Sequence, residues 1–100
     1  MNLTARKLLT IVTEAALEDT LVREIERLGA RGYTITDARG KGGRNTRDGT
    51  WAPLANIRLE VICDAATADA ICTALRDHYS DNYSMVMYLA DVQVMRPAKF

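Results

Sequence analysis

The sequence predicts an α+β domain, a four-stranded antiparallel sheet with two helices on one of its faces. Three observations lead there. Apolar spacing changes along the chain in the order strand, helix, strand, strand, helix, strand. Each helical stripe lies between two strands, which right-handed crossovers bring into one sheet. One connection, between the second and third strands, is long and polar. A chain of 100 residues has room for one domain, spanning 1–100, with a core that removes roughly 65% of the unfolded surface from water.

Residues 8–13, Leu8-Leu9-Thr10-Ile11-Val12-Thr13, are rich in β-branched side chains and apolar on both faces, the pattern of a central strand. Leu17, Leu21, Ile25 and Leu28 then fall on one helical stripe. Thr13 with Glu14 offers a helix start and Gly29 a stop. Residues 33–37, Tyr33-Thr34-Ile35-Thr36-Asp37, alternate as a half-buried strand, and a polar stretch runs from Arg39 to about Pro53. In the third strand Ile57, Leu59, Val61 and Cys63 alternate with Asn56, Arg58, Glu60 and Ile62. Ala68, Ile71, Cys72, Leu75 and Tyr79 mark a second helix behind an Asp64 or Thr67 cap. The last strand, 84–95, is apolar on both faces in its first half and alternates in its second. Right-handed crossovers through this βαββαβ order give the ferredoxin-like plait.

Both helices cover the same sheet face, yet the first and last strands are apolar on both. An uncovered apolar face of that size calls for self-association or a covering partner, or else for flanking loops folded across it.

Thirteen Lys and Arg balance thirteen Asp and Glu, which argues against a surface that coats nucleic acid or acidic membrane throughout. At 48% hydrophobic residues the chain is globular. Cys63 and Cys72 are too few for a secreted disulfide framework, and the opening residues read as neither a signal sequence nor a span, so a soluble cytoplasmic protein is expected.

The chemistry concentrates in the long loop. In Arg39-Gly40-Lys41-Gly42-Gly43-Arg44-Asn45-Thr46-Arg47, glycines interleave with four cations. Glycine lets backbone N–H groups approach an anion, Arg44 and Arg47 offer bidentate forks, and Lys41 is a point charge. No Gly-Lys-Ser/Thr follows, so this is not a P-loop. The same composition also suits a solvated hairpin. His78 reads as a surface residue, Cys63 and Cys72 as buried inert thiols, and Met85, Met87 and Met95 as core or subunit contacts. Trp51 suits either a partner anchor or a fold-back onto the sheet. With no zinc-ligand spacing and no nucleophile beside a base, an enzyme is not expected.

Gly32-Tyr33-Thr34-Ile35-Thr36-Asp37, followed by Gly40-Lys41-Gly42-Gly43-Arg44-Asn45-Thr46-Arg47, resembles the PII-like signalling proteins, most nearly the carboxysome-associated and bicarbonate-transporter-associated branches. The element order agrees over nearly the whole chain, while the specific likeness is confined to 32–47. The resemblance implies a homotrimer with sheets facing one another and adenine nucleotides in clefts between subunits. It further implies a T-loop, here at about 39–54, that reports energy or inorganic-carbon status.

Carried over residue by residue, Thr34 and Thr36 match the strand along the adenine side, and Gly40, Lys41 and Gly42 the loop base near the phosphates. Arg44 and Asn45 match the polar pair after the glycines, with Gly43 an extra residue. Tyr83 and Ser84 fall where other PII proteins place a glycine-rich phosphate cradle; here no glycine occurs between residues 50 and 100. Arg96 falls where a C-terminal arginine reaches phosphate, its usual partner replaced by Val94. These losses favour ADP or AMP over ATP, with cyclic AMP a further candidate. The loop lacks the tyrosine modified in other PII proteins, and the C-terminus lacks the cysteine pair of the transporter branch. Bicarbonate, expected on Lys41, Arg44, Asn45 and Arg47, would be the second ligand, and a transporter or carboxysome-related protein the target, reached through the T-loop. The alternatives are an RNA-binding plait module, disfavoured because strand three has no aromatics for base stacking, and a small nucleotide-hydrolysing enzyme, disfavoured because only Asp37 and Asp48 flank the loop. A trimeric metal-tolerance relative is disfavoured by the single histidine.

Overall fold

A computed structural model describes residues 1–40 and 55–100. Strand β1 (Thr4–Glu14) leads through a 3₁₀ turn (Ala15–Leu17) into helix α1 (Glu18–Arg27), then strands β2 (Thr34–Ala38) and β3 (Asn56–Cys63). Helix α2 (Ala65–His78), strand β4 (Met85–Val94) and a second 3₁₀ turn (Pro97–Lys99) complete the chain. The sheet order is β2-β3-β1-β4 with every pairing antiparallel, the expected plait.

Burial follows the alternation. Leu9 and Ile11 of β1 lie beside Val61 and Leu59 of β3, and these four side chains are fully buried. Leu17, Leu21 and Ile25 from the first helical segment, with Ala68, Ile71 and Leu75 of α2, close over that face. Each fully buried Leu or Ile contributes roughly 1.5–3 kcal/mol by leaving water, so this layer supplies the stability of the fold.

Two boundaries and one burial differ from the sequence reading, each for a physical reason. β1 begins at Thr4 rather than Leu8, because residues 4–7 pair with the alternating second half of β4 and Lys7 forms an ion pair with Asp91. Thr13 and Glu14 do not start the helix. Thr13 is buried and its hydroxyl donates to the Ser84 carbonyl at 2.6 Å, while the Glu14 carboxylate accepts the Ser84 N–H at 2.9 Å. Both side chains are thereby committed to β4, and α1 starts at Glu18 without a side-chain cap. Cys72 is only half-buried, because it packs at the edge of the core, where it also lines the rim between α2 and β4.

Other punctuation falls as read. Gly29 ends α1 at φ 112°, donating its N–H to the Glu26 carbonyl while Ala30 donates to Ile25, a Schellman closure that a side chain at residue 29 would strain. Of the two possible caps for α2, Asp64 is the one used: its Oδ1 accepts the Thr67 backbone N–H at 2.8 Å.

The second face of the sheet divides in two. The register places Leu8, Thr10 and Val12 of β1 beside Ala90, Tyr88 and Val86 of β4 on the side away from the helices. Leu8 and Val12 are half-buried, but Val86 is 56% and Tyr88 52% exposed, so the outer part of this surface is bare. On the β2–β3 half the same face is polar, carrying Thr34, Thr36, Arg58 and Glu60. Among the described residues no helix is long and apolar enough to cross a membrane.

Candidate functional site

The candidate residues occupy two ends of the sheet. At the loop end, Ala38 pairs with Asn56, Asn56 with Glu14, and the neighbouring Thr13 with Met85. Arg39 and Gly40 leave β2 at this end, both exposed, and a Cβ at Gly40 would meet nothing within 4 Å. Tyr83 and Ser84 lead into β4 at the same end. They sit at the opposite edge of the sheet from β2, three strand spacings or about 14 Å away.

Thr34 and Thr36 are exposed on the open face of β2, level with Glu60 and Arg58. Tyr83 is 39% exposed, its ring tilted against that of Tyr79 with centroids 6.4 Å apart. The turn that carries it is bonded internally: Ser80 donates its N–H to the Leu75 carbonyl, and Asn82 and Tyr83 both donate to Tyr79.

Arg96 stands at the far end of β4, beyond Val94 and exposed. A ten-residue strand separates it from Ser84 by about 30 Å. It lies instead at the Thr34 end. There the Arg31 guanidinium donates to the Ala98 carbonyl at 2.7 Å, tying the α1–β2 connection to the C-terminal turn. One chain thus places Thr36 two residues before the end of β2 and ties the C-terminal turn to Arg31, but does not gather the loop end of β2, Tyr83, Ser84 and Arg96 around one small molecule. Lys41, Gly42, Arg44, Asn45 and Arg47, with Trp51, lie outside the described residues.

Sequence reasoning missed Thr13, Glu14 and Arg31 at these ends. Their partners are far away in sequence, and no local pattern announces such bonds. Arg6, at the Arg96 end, was missed as well: its Nε is buried without a partner among the described residues. The thiols are poor nucleophiles, since burial pushes both Cys63 and Cys72 above the ordinary range. Among the described residues no group of three His, Cys, Asp or Glu is placed to hold a metal ion. A groove of about 370 Å³ separates α2 from β4, lined by Cys72, Thr73 and Arg76 opposite Met87 and Leu89, and none of the candidate residues lines it.

The fold and the sequence both have close counterparts. A PII-like signalling protein from Thermus thermophilus is 45% identical, the match covering 100% of this chain and 99% of that one at a TM-score of 0.85. CPII from Thiomonas intermedia, solved with ADP and bicarbonate, is 27% identical over 99% of this chain and 97% of its own, at 0.86. The same protein solved with ADP, AMP and bicarbonate matches at 26% identity and 0.87, over 99% and 96% of the two chains. The family described as nitrogen regulatory protein P-II matches residues 6–99. The chain therefore belongs to the P-II family, as a PII-like member.

Proposed function

We propose that this protein is a regulatory binder of adenine nucleotides that works as a homotrimer, with ADP or AMP held in clefts between subunits. The observation that carries this reading is the division of the candidate site between two edges and two ends of one sheet. Residues so far apart meet on one ligand only when copies of the chain are placed side by side. The apolar half of the open face supplies a surface for that association, since Val86 and Tyr88 are left bare by the helices. The ligands of CPII, ADP with AMP and bicarbonate, supply the chemical class.

In the cleft, Thr34 and Thr36 line the adenine side. Gly40, Lys41 and Gly42 approach the phosphates, with Arg44, Asn45, Tyr83, Ser84 and a neighbouring copy's arginine at position 96 completing the contacts. Bicarbonate docks on Lys41, Arg44, Asn45 and Arg47, where a guanidinium fork matches its planar oxygens as it would a carboxylate. Repulsion between the two anions opposes this, so the cations must outweigh it. The protein acts by binding rather than by catalysis, in the cytoplasm. Ligand occupancy sets the T-loop at 39–54, and the loop carries the signal to a transporter or carboxysome-related protein.

Calorimetric titration with ADP in bicarbonate and in chloride, at fixed pH and ionic strength, tests this reading. Bicarbonate is expected to tighten ADP, and by linkage ADP to tighten bicarbonate by the same factor. Equal affinities in the two salts would leave a nucleotide sensor without an inorganic-carbon input, and no ADP binding at all would remove the nucleotide reading itself.

A further inference from the structure

We infer that Arg31 positions Arg96 toward a bound nucleotide's phosphate by holding the C-terminal 3₁₀ turn in place, a role that rests on the cleft proposed above through Arg96 alone. Arg96 leaves the sheet with little to direct it. Val94 is the last residue of β4 in the ladder, paired with Thr4 and 7% exposed. Met95 after it is 65% exposed, and Arg96 is exposed as well. A long cation swinging about an exposed residue would be ordered only when a ligand arrives, and that ordering subtracts from affinity.

The turn beyond Arg96 removes this freedom in two steps. It is first made into one body. Pro97 fixes its own φ and keeps the preceding Arg96 out of the helical region, at φ −129° and ψ 77°. Lys99 donates its N–H to the Arg96 carbonyl and Phe100 to that of Pro97, both at 3.1 Å. The body is then tied down. Arg31 donates to the Ala98 carbonyl at 2.7 Å, and among the described residues it is the one side chain outside the turn that bonds to residues 96–100.

The backbone that carries Arg31 is itself anchored. Gly29 and Ala30 close α1 by donating to the Glu26 and Ile25 carbonyls, and Ala30 packs against the core. Arg31 follows directly. Arg96 therefore lies midway between two fixed points, Val94 in the sheet and Ala98 on Arg31. The cation is held ready before any phosphate reaches it.

Arg31→Ala, Arg96→Ala and the double variant test this by calorimetric titration with ADP and with adenosine. Both side chains are exposed, so the substitutions leave the core intact. Arg96→Ala is expected to weaken ADP roughly tenfold, the value of one charge-assisted contact. Arg31→Ala is expected to weaken it roughly three- to tenfold, the cost of ordering one freed side chain on binding. Adenosine offers no phosphate and is expected to change less than about twofold in either variant. In the Arg96→Ala background, Arg31→Ala is expected to add less than about twofold, since nothing is left to position. Backbone order parameters of residues 98–100, from NMR relaxation, are expected to fall in Arg31→Ala from about 0.85 to below about 0.6. An equal loss of ADP with and without Arg96 overturns the inference, because Arg31 then acts by its own charge or its own contact. Full ADP affinity in Arg31→Ala, or unchanged order parameters, overturns it as well. ADP affinity untouched by Arg96→Ala removes Arg96 from the cleft and this role with it, while the other contacts stand. A parent protein that binds no ADP overturns the nucleotide reading and this inference together.

Discussion

The two faces of the sheet are made from the same strands and have opposite fates. On one, Leu9, Ile11, Leu59 and Val61 disappear under two helices; on the other, Val86 and Tyr88 stay more than half exposed. Alternation along a strand places these sets one residue apart, so the chain cannot gain one face without presenting the other. The difference teaches that alternate positions of β1 and β4 serve separate surfaces, one for folding and one left open for the association proposed above. The covered face stabilises the single chain, and the open face leaves Val86 and Tyr88 exposed to whatever the proposed association brings against them. The polar half of the open face, on β2 and β3, is where the candidate ligand residues begin.

Substitutions on the two faces should separate these roles. Leu59→Ala removes a fully buried side chain from the covered layer and should cost about 2–5 kcal/mol in chemical denaturation. A loss below about 1 kcal/mol would mean the helices are loosely packed there. Tyr88→Glu, on the open face, should break the assembly by placing an unpaired charge in its interface. Sedimentation should then show the 11.1 kDa monomer with its circular dichroism retained. Val86→Glu provides an independent check on the same surface. If both variants keep the parent's mass, association uses another surface.

Arg44→Ala should weaken ADP by roughly ten- to a hundred-fold, the value of one charge-assisted contact of about 1.5–3 kcal/mol, without moving Tm. Unaltered affinity in both Arg44→Ala and Arg47→Ala would make the basic loop solvated surface. The smallest effect belongs to the cap beneath the covered layer. Hydrogen bonding from the Thr67 backbone N–H holds the Asp64 carboxyl below the ordinary range, helped by Arg6 and Arg31. A depressed folded-state pKa stabilises above the unfolded value and is lost as pH falls through the folded one. Asp64→Ala should therefore lower Tm slightly at pH 7, and the two melting curves should converge in acid below the carboxyl's titration. A difference that persists there would make the loss one of packing rather than charge.

Much of the fold was legible because periodicity is local. Ile57, Leu59, Val61 and Cys63 announce the buried side of β3, and Leu17, Leu21 and Ile25 the stripe of the first helix. The polar start of β1 was not legible, since residues 4–7 become a strand only by pairing with β4. Glu14 misled for a related reason. An acidic residue before an apolar stripe suits a helix start, and nothing nearby reveals a bond to residue 84. The candidate site residues were proposed from the Gly-Tyr-Thr strand, the glycine-rich loop and the family resemblance. That they fall on two edges of the sheet depends on strand order, which no short motif encodes.

The central claim is that association through the open face completes the nucleotide site. Titrating ADP into Tyr88→Glu at concentrations where it is monomeric tests this most directly, since residue 88 is not among the proposed ligand contacts. The account predicts that the monomer, folded and with every proposed contact residue intact, loses ADP binding by at least the factor seen for Arg44→Ala. A monomer that binds ADP as tightly as the parent would contradict it, and would place the whole site within one chain.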